Sequence, residues 1–356
     1  MLSRYGRLGA SSRMRSYQYL PWLEAAGIEV TLAPLFSDVY VQGLQRNTKS
    51  PLEALKAYVA RVQALLASRQ FDLLWIEKET LPWLPAWVEK MLLPGGVPYV
   101  LDYDDAVFHY YDESQNPVVR ALLSGKHPAL MQGAALVVAG NHYLAEFAQQ
   151  ALAPHVEVVP TVIDLDRYPV AMCERNAQST LPCIGWIGQR ATASFLAPYV
   201  SLFNRLTSDG LVRFAAIGID AQSLGLPMDS IAWTEQTEVA SIASFDIGIM
   251  PLLDGAFERG KCGYKLIQYM ACGLPVVASP VGVNCQIVEH GVSGYLADTP
   301  EEWEQALRTL LADADLRQRM GQAGRRKVEQ QFCIQKTGPL LAELLLAAAN
   351  TAKKKA

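Results

Sequence analysis

Several signatures of other protein classes are missing from the sequence. Its six cysteines show no paired CxxC spacing, which together with the length of the chain indicates reduced thiols in a cytosolic protein rather than a disulfide framework. No apolar run reaches the roughly 18 residues that span a bilayer, and the start, "MLSRYGRLGASSRMR", lacks the apolar core of a signal peptide. No G-x-G-x-x-G opens the chain, which disfavours a dinucleotide oxidoreductase.

An excess of positive charge is missing as well. The 31 Lys and Arg residues are outnumbered by 35 Asp and Glu residues, for a net charge of −4, so we do not expect a nucleic-acid binder. Arginine is enriched only locally, in the first twenty residues, which contain no acid. The tail "TAKKKA" (351–356) is predicted to be solvated, with contact to an anionic membrane as the alternative.

What the chain does contain is length, apolar residues and a regular alternation of segments. With 356 residues, 51% of them hydrophobic, it can form two domains with substantial cores. Short β-branched runs alternate with amphipathic segments, which predicts parallel strands and crossover helices in a doubly wound sheet. In the first half the expected strands are 28–35, 71–77, 97–103, 135–140 and 156–160, and the expected helices are 13–26, 51–68, 82–92 and 142–151.

A second series of the same kind follows a proline-containing polar stretch at 160–182, which we interpret as a linker. Its expected strands are 183–188, 212–218, 230–234, 246–251, 275–279 and 294–297, and its expected helices are 192–207, 236–243, 264–272 and 300–312, with a last helix at 336–350. The pattern predicts an α/β chain with domains at 1–168 and 169–335, followed by a C-terminal helix and tail at 336–356. Because such sheets bind ligands outside the carboxyl ends of their strands, we expect a site in a cleft between the domains.

The stretch "DGAFERGKCGYKLIQYMACGLP" (254–275) has the composition of an anion site. A loop rich in glycine and charge precedes an apolar helix, whose start carries unpaired N–H groups and partial positive charge. Gly260 and Gly263 would let the backbone approach a ligand, and Lys261 and Lys265 add full charges, so we expect a bound phosphate. Gly273 is expected to end the helix. An ordinary surface loop with solvated lysines is the alternative.

The sequence from here onward resembles a known family. The segment "YKLIQYMACGLPVVASPVGVNCQIVEHGVSGYLA" (264–297) is similar to the donor-binding signature of family 4 glycosyltransferases, which have the GT-B fold. The likeness also covers 300–332 and "VEVVPTVIDLDRYPV" (156–170), whereas the N-terminal half matches by pattern and by "YDDA" (103–106). The resemblance implies two Rossmann-like doubly wound domains facing a cleft, a UDP- or GDP-linked sugar as donor, no cofactor, and retention of anomeric configuration.

The resemblance also implies roles for residues on the donor side, where the chain departs from the family pattern in two places. Family members commonly have two glutamates eight positions apart, and here Gly260 and Gln268 occupy those positions. Gln268 keeps an acceptor oxygen for the ribose hydroxyls, and Glu258 is the substitute expected for the missing first glutamate. Lys265 is expected to bind the diphosphate. The remaining donor-side candidates are Gly188 and Arg190 in the turn of "CIGWIGQR", and Gly282 in "ASPVGVN".

The first domain contributes candidates for the acceptor side. In "YGRLGASSRMR", Gly9 is expected to approach the donor phosphates, while Arg13 and Arg15 face an anionic acceptor, with an exposed helix surface as the alternative. Asp104 and His109 follow a strand in "VLDYDDAVFHYYD" and would orient the acceptor hydroxyl or act as its base. Glu77, at the end of another strand, would contact acceptor hydroxyls.

Two further patterns in the first domain allow more than one interpretation. The D-Y-D of 102–104 resembles a DxD metal site, but such short acidic motifs arise often by chance, and basic groups can neutralise a leaving diphosphate without metal. We therefore expect no metal. In "LPWLPAWVEKMLLP" (81–94), Trp83, Trp87 and Met91 are spaced by four residues. Such a stripe suits a membrane surface that presents a lipid-linked acceptor, although packing on the domain's own sheet is the more common use.

Together these features predict a bacterial, metal-independent glycosyltransferase that moves a sugar from a nucleotide sugar to a glycan or lipid-linked acceptor in surface polysaccharide synthesis. We expect a cytoplasmic protein that contacts the inner face of the plasma membrane peripherally. Two alternatives remain open at this point. One is a GT-B sugar-nucleotide epimerase or phosphorylase, and the other is a catalytically silent homologue that binds nucleotide or glycan, as the missing glutamate at position 260 suggests.

Overall fold

A computed structural model describes residues 1–45, 50–169 and 181–353. Most of the expected linker, residues 170–180, and the end of the tail, residues 354–356, lie outside the described residues. The chain divides into two compact units. The first unit comprises Met1–Thr161, Arg259–Cys262 and Gln335–Ala356, and the second comprises Val162–Glu258 and Gly263–Ile334. Among the described residues, no helix combines the length and the apolar character needed to cross a membrane.

The first unit is built on a parallel sheet with the order β1-β2-β3-β4. Its strands are β1 (Leu74–Glu77), β2 (Tyr99–Tyr103), β3 (Leu136–Ala139) and β4 (Val156–Val158). Every residue of β1, β2 and β3 is buried, as expected for parallel strands covered on both faces. All four strands lie within the segments predicted from the sequence.

The N-terminal segment extends this sheet without forming a regular strand. Leu2 pairs with Ile76 in a parallel bridge, and Tyr5 pairs with Phe36 on the other side. The strand expected at 28–35 is therefore wrong as a regular strand. This segment is extended, and residues 33, 35 and 36 donate backbone hydrogen bonds to residues 1, 3 and 4. Residues 1–6 thus have neighbours from later in the sequence on both sides. The order in which successive strands are added to the sheet therefore reverses there.

Helices flank the first sheet, and one of them differs from its prediction. The helix expected at 13–26 is two short helices with a 3₁₀ turn between them, because Pro21 has no N–H and fits only in the first turn of a helix. The helices are α1 (Ala10–Arg15), α2 (Leu20–Ala25), α3 (Asp38–Gln45), α4 (Pro51–Leu66), α5 (Ala86–Leu92), α6 (His109–Asp112), α7 (Pro117–Leu123), α8 (Lys126–Gly133) and α9 (His142–Gln150).

The second unit contains a six-stranded parallel sheet with the order β10-β9-β8-β5-β6-β7. The first strand of this unit, β5, lies between β8 and β6, so the direction of winding reverses there. A core that includes Phe203, Trp303 and Leu307 packs on the sheet. The strands are β5 (Cys183–Ile187), β6 (Arg213–Ile217), β7 (Asp229–Ile231), β8 (Ile247–Met250), β9 (Val276–Ala278) and β10 (Gly294–Leu296). All lie within predicted segments except β7, which begins one residue before the expected strand at 230–234 and ends three residues before its end.

The second unit's helices depart from prediction in several places. The segment 190–199 is a 3₁₀ helix rather than the start of an α-helix, since Pro198 lies inside it. A helical turn lies in the stretch expected to be a loop before residue 264, and the helices at Asn284–Ile287 and Ala314–Gln331 were not predicted. The helices are α10 (Val200–Ser208), α11 (Glu238–Ala243), α12 (Ala256–Arg259), α13 (Tyr264–Ala271), α14 (Asn284–Ile287), α15 (Pro300–Ala312) and α16 (Ala314–Gln331), followed by α17 (Ile334–Lys353), most of which belongs to the first unit.

Candidate functional site

Two glycines lie at the carboxyl ends of adjacent strands where the second sheet reverses its winding. Gly188 follows β5, and Gly218, with φ +90°, follows β6. A Cβ on Gly218 would lie 2.6 Å from the carbonyl oxygen of Gly188. A Cβ on Gly188 would lie 2.7 Å from Nζ of Lys265 and 2.4 Å from the indole of Trp186. Gly188 thus leaves space for the side chains beside it, while its own N–H donates to the carbonyl of Ile217.

Lys265 occupies this space. Its Nζ lies 4.2 Å from the centroid of the Trp186 ring and 3.5 Å from the hydroxyl of Thr192. Lys265 is in the first turn of α13, where the partial positive charge of the helix end opposes a cation. The electron-rich face of the buried Trp186 offsets that cost. A cation held at a helix N-terminus is a favourable place for an anionic ligand.

The start and end of α13 agree with the sequence prediction. Gly263 is the N-cap at φ +64°, and no side chain caps the helix. A Cβ there would lie 2.3 Å from Cδ1 of Ile287, so glycine is required for packing as well as for conformation. Gly273, with φ +70°, follows the C-cap residue Cys272. The prediction that Gly273 ends the helix is confirmed.

The other donor-side candidates of the second unit have different surroundings. Gln268 is buried, and its Nε2 donates to the hydroxyl of Tyr168 at 3.0 Å. Gly282 is exposed at φ +54° in the turn that follows β9. Arg190 is exposed at the first residue of the 3₁₀ segment, and Glu258 is half-buried on α12. Their expected roles in donor binding remain predictions.

The cationic stretch around residue 260 does not belong to a single unit. Residues 259–262 fold with the first unit, where Asn141 Nδ2 donates to the carbonyl oxygens of Gly260 at 2.9 Å and Lys261 at 3.0 Å. A Cβ on Gly260 would lie 2.4 Å from Cβ of Ala106, so this glycine serves packing within the first unit. The expected cradle of Gly260, Lys261, Gly263 and Lys265 is therefore divided between the two units.

The first unit gathers ionisable groups where its sheet reverses its winding. Asp104 follows β2, Lys78 follows β1, and Ser11 lies in the first turn of α1. Nζ of Lys78 lies 2.6 Å from Oδ1 of Asp104 and donates to the Ser11 hydroxyl at 3.1 Å. That hydroxyl in turn lies 2.5 Å from Oδ2 of Asp104. The three residues are the Lys78 cluster below.

The electrostatics of the Lys78 cluster favour the charged forms of both partners. Burial alone would raise the pKa of Asp104, but the Lys78 ammonium and the Ser11 hydroxyl outweigh it and hold that pKa below its ordinary value. Burial would lower the pKa of Lys78, yet Asp104 and Asp105 raise it. The Asp104 side chain remains 12% exposed. Lys78 also has φ +63°, an uncommon conformation for a residue with a side chain.

Three acceptor-side predictions need correction because the side chains are buried within the first unit. Glu77 accepts from the Arg4 backbone N–H and from the Ser12 hydroxyl, so it anchors the N-terminal loop. Arg15 is 1% exposed and pairs with Asp102 at 2.8 Å. Arg13 is 3% exposed. None of these groups presents its charge to solvent as an acceptor site would require.

Contacts within the first unit give His109 and Gly9 structural roles. Nδ1 of His109 lies 2.9 Å from Asp112 Oδ1, and Nε2 lies 2.8 Å from the hydroxyl of Tyr143. Both ring nitrogens are thus engaged, and a role as base would first require one of these bonds to break. Gly9 is the N-cap of α1, and a Cβ there would lie 2.4 Å from Cβ of Tyr5.

Both carboxylates of the D-Y-D pattern pair with basic side chains. Asp102 binds the Arg15 guanidinium and Asp104 binds the Lys78 ammonium. Within residues 1–45, 50–169 and 181–353, the structure brings together no group of three or more His, Cys, Asp or Glu side chains that could hold a metal ion. The expectation that the protein works without a metal stays a prediction.

Sequence reasoning missed Lys78, Ser11 and Trp186. Trp186 lies in β5, two residues before Gly188 in "CIGWIG", and a bulky aromatic so close to the glycine of the turn was the available signal. Lys78 lies between two glutamates in "WIEKET" and has no distinguishing pattern. Its conformation and its partner depend on segments far away in the chain.

Comparisons with known proteins agree with this architecture. Residues 204–313 match the family model described as glycosyl transferases group 1. N-acetyl-alpha-D-glucosaminyl L-malate synthase of Bacillus anthracis is 37% identical over 78 residues, which are 21% of this chain and 20% of that protein. D-inositol 3-phosphate glycosyltransferase of Thermobispora bispora is 30% identical over 140 residues, 35% of this chain and 31% of that protein. The matched segments thus span about a fifth to a third of these relatives.

Similarity to solved structures extends over most of the chain. The Anabaena protein Alr3699/HepE, solved in complex with UDP, aligns over 97% of this chain and 98% of its own, with a TM-score of 0.64 and 16% identity. Sucrose-phosphate synthase from Thermosynechococcus elongatus aligns over 82% of this chain and 77% of its own, with a TM-score of 0.61 and 18% identity. The chain therefore has the GT-B fold, as its sequence predicted.

Proposed function

We propose that this chain is a family 4 glycosyltransferase that moves a sugar from a nucleoside diphosphate sugar to a glycan or lipid-linked acceptor. The observation that carries the proposal is Lys265. Its ammonium is held against Trp186 at an uncapped helix N-terminus beside Gly188, at the strand ends where doubly wound sheets bind ligands. The match of residues 204–313 to glycosyl transferases group 1 supports the same chemistry.

In this proposal the second unit binds the donor. Lys265, the N-terminus of α13 and Arg190 stabilise the charge that develops on the leaving diphosphate, without a metal. Glu258 contacts the sugar, and Gln268 contacts the ribose. A uridine donor is favoured because the similar Anabaena protein was solved in complex with UDP, with guanosine second. We further propose retention of configuration and a role in bacterial surface polysaccharide synthesis, with the enzyme at the cytoplasmic face of the plasma membrane.

The first unit binds the acceptor in this proposal. Asp104 is the group that orients the acceptor hydroxyl or takes its proton, because it is ionised and its side chain keeps some exposure. Lys78 and Ser11 hold the carboxylate in place. His109 is the second candidate for the base, with both nitrogens already hydrogen-bonded.

A catalytically silent homologue is the second candidate function, favoured by one observation. The position of the family's first glutamate is Gly260, which packs against Ala106 and leaves no space for a side chain. Such a protein would bind a nucleotide sugar and transfer nothing. Transfer assays with a mixed panel of acceptors separate the two functions.

The decisive experiment is titration of the full chain with uridine, guanosine and adenosine diphospho-sugars, by calorimetry. We expect one nucleotide to bind and Lys265→Met to weaken it by about ten- to a hundredfold, the loss of a charge-assisted bond. Lys336→Met, which removes an exposed lysine of α17, is the matched control and should bind as the unmodified protein does. If none of the nucleotide sugars binds, the proposal fails.

A further inference from the structure

An unpartnered apolar face covers one side of the first unit. On α4, Leu52, Leu55, Val59 and Leu66 are each more than half exposed, with exposed fractions of 61%, 62%, 51% and 63%. Their spacing of three, four and seven residues places them in one stripe along the helix. The helix turns its buried residues, Arg61 and Leu65, toward the core instead. This stripe is therefore not part of the unit's own packing.

A second set of apolar side chains lies beside this stripe. Trp83, Trp87 and Met91 are 55%, 66% and 70% exposed. An apolar cavity of about 270 Å³ lies between α4 and residues 81–84, and its lining includes Val59, Val62 and Leu84. The Tyr58 hydroxyl also donates to the Pro82 carbonyl at 2.6 Å. We call this surface the apolar face: Leu52, Leu55, Val59 and Leu66 with Trp83, Trp87 and Met91.

The backbone of Trp83 is strained, and its side chain is exposed. Its φ is +63°, which costs roughly 1–3 kcal/mol for a bulky side chain. Its backbone N–H donates to the Tyr111 hydroxyl at 2.9 Å, and its ring contacts Tyr111 edge-on with centroids 5.2 Å apart. The surrounding structure thus stabilises a strained backbone that leaves a large indole mostly in solvent. A purely structural turn would more simply use glycine or asparagine here.

The charges around the apolar face favour an anionic partner. Lys56 on α4 and Lys90 on α5 are exposed, as is Arg69 in the 3₁₀ turn that follows α4. Of the acids between residues 51 and 94, Glu77, Glu79 and Glu89 are 2%, 6% and 1% exposed, so they are withdrawn from the surface. Glu53 is exposed but pairs with Lys56 at 2.9 Å, and Asp72 is the other exposed acid. The charges of Glu53 and Lys56 cancel, so Arg69 and Lys90 against Asp72 leave a net charge of 2 − 1 = +1 among the exposed side chains of residues 51–94.

We infer that the apolar face docks the protein on the interface of an anionic lipid bilayer, with Trp83 and Trp87 at the level of the headgroups. Exposed tryptophans, aliphatic side chains and flanking cations on one surface are the combination that interfacial binding uses. This surface is the part of the protein that would contact the plasma membrane at the peripheral location proposed above. The inference rests on that proposed location and does not depend on the sugar-transfer reaction.

Flotation of the full chain with vesicles tests the inference without any nucleotide sugar. The vesicles are phosphatidylcholine alone or with a quarter of phosphatidylglycerol. We expect the protein to bind the anionic vesicles more strongly, and Leu55→Glu/Trp87→Glu to reduce the bound fraction by at least about tenfold. The matched control is Leu122→Glu, which adds one acid at a 65% exposed leucine of α7 outside the face and should keep binding.

A second variant distinguishes a loss of membrane binding from a folding defect. Trp83→Phe/Trp87→Phe keeps the face apolar, so it should bind, yet it should lose most of the fluorescence quenching that brominated lipids cause in the unmodified protein. Three results would overturn the inference: no vesicle binding, equal binding by the double glutamate variant, or dimers in sedimentation that the glutamates dissociate. Sugar transfer to a water-soluble acceptor, measured in parallel, reports on the proposed function separately.

Discussion

At the scale of single residues, the partner of a charge decides its role. Lys265 and Arg15 are both cations that the sequence placed in binding sites. Lys265 lies half-buried beside Trp186 at a helix N-terminus, whereas Arg15 is sealed in the core by Asp102. The difference was not visible in the sequence, because Asp102 is 87 positions away from Arg15. The position of Lys265 at a helix start was predictable because the helix and its glycines are adjacent in the chain, whereas its role in binding stays a prediction.

Replacing Lys78 tests the role of Asp104 in the proposed reaction. In Lys78→Met the ammonium that holds the pKa of Asp104 down is lost while burial remains, so that pKa rises. A base acts only when deprotonated, so the acidic limb of the pH profile of kcat/KM should move to higher pH. We also expect kcat/KM at neutral pH to fall by about tenfold or more.

Lys78→Arg is the matched control for that experiment, because it keeps the positive charge at the same strained backbone position. It should leave the acidic limb close to that of the unmodified enzyme even if the rate falls. A Lys78→Met profile that loses height but keeps its pH dependence would mean that Lys78 acts on folding rather than on Asp104.

At the scale of secondary-structure elements, prediction succeeded where the pattern is local. The strands β1–β3, β5, β6, β8 and β9, which are almost entirely buried, follow from short apolar runs between helical segments, and α13 follows from its flanking glycines. The extended segment at 28–35 was predicted as a strand because its composition is that of one. Whether it forms a regular ladder depends on residues 1–4, whose pairing no local pattern specifies.

Alanine variants of the two glycines at the ends of α13 distinguish the cost of backbone strain from the cost of steric overlap. Alanine at Gly273, where nothing lies within 4 Å of the added Cβ, would cost only the left-handed conformation, about 1–2 kcal/mol. Alanine at Gly263 would add overlap with the buried Ile287, for a total of about 2–5 kcal/mol. Urea unfolding of the two variants measures the difference.

The comparison is informative because both glycines have nearly the same φ, +64° and +70°. Equal destabilisation of Gly263→Ala and Gly273→Ala would show that Ile287 moves aside without cost and that the start of α13 is not closely packed. Nucleotide titration of Gly263→Ala would then show whether the anion site depends on the geometry of the helix start.

At the scale of the whole molecule, chain order and spatial order differ. The alternation of strands and helices predicted two α/β domains in tandem, but it did not predict that residues 259–262 and α17 fold with the first unit. For α17 the link is specific: the hydroxyls of Tyr19 and Thr337 lie 2.9 Å apart, and Gly338 lies so close to Trp22 that an added Cβ would be 2.5 Å from its ring. No pattern within 336–350 identifies these distant partners.

The last helix should therefore contribute to the stability of the first unit. Leu345 and Leu346 are neighbours on α17, 3% and 43% exposed. Leu345→Ala leaves a cavity and should destabilise the first unit by about 2–5 kcal/mol, whereas Leu346→Ala should stay within about 1 kcal/mol. In hydrogen exchange, Leu345→Ala should reduce protection in β2 and β3, although they precede it by more than 200 positions. The strands β5 and β6 precede α17 more closely in sequence. If protection were lost there instead, α17 would support the second unit, and the assignment of α17 to the first unit would be wrong.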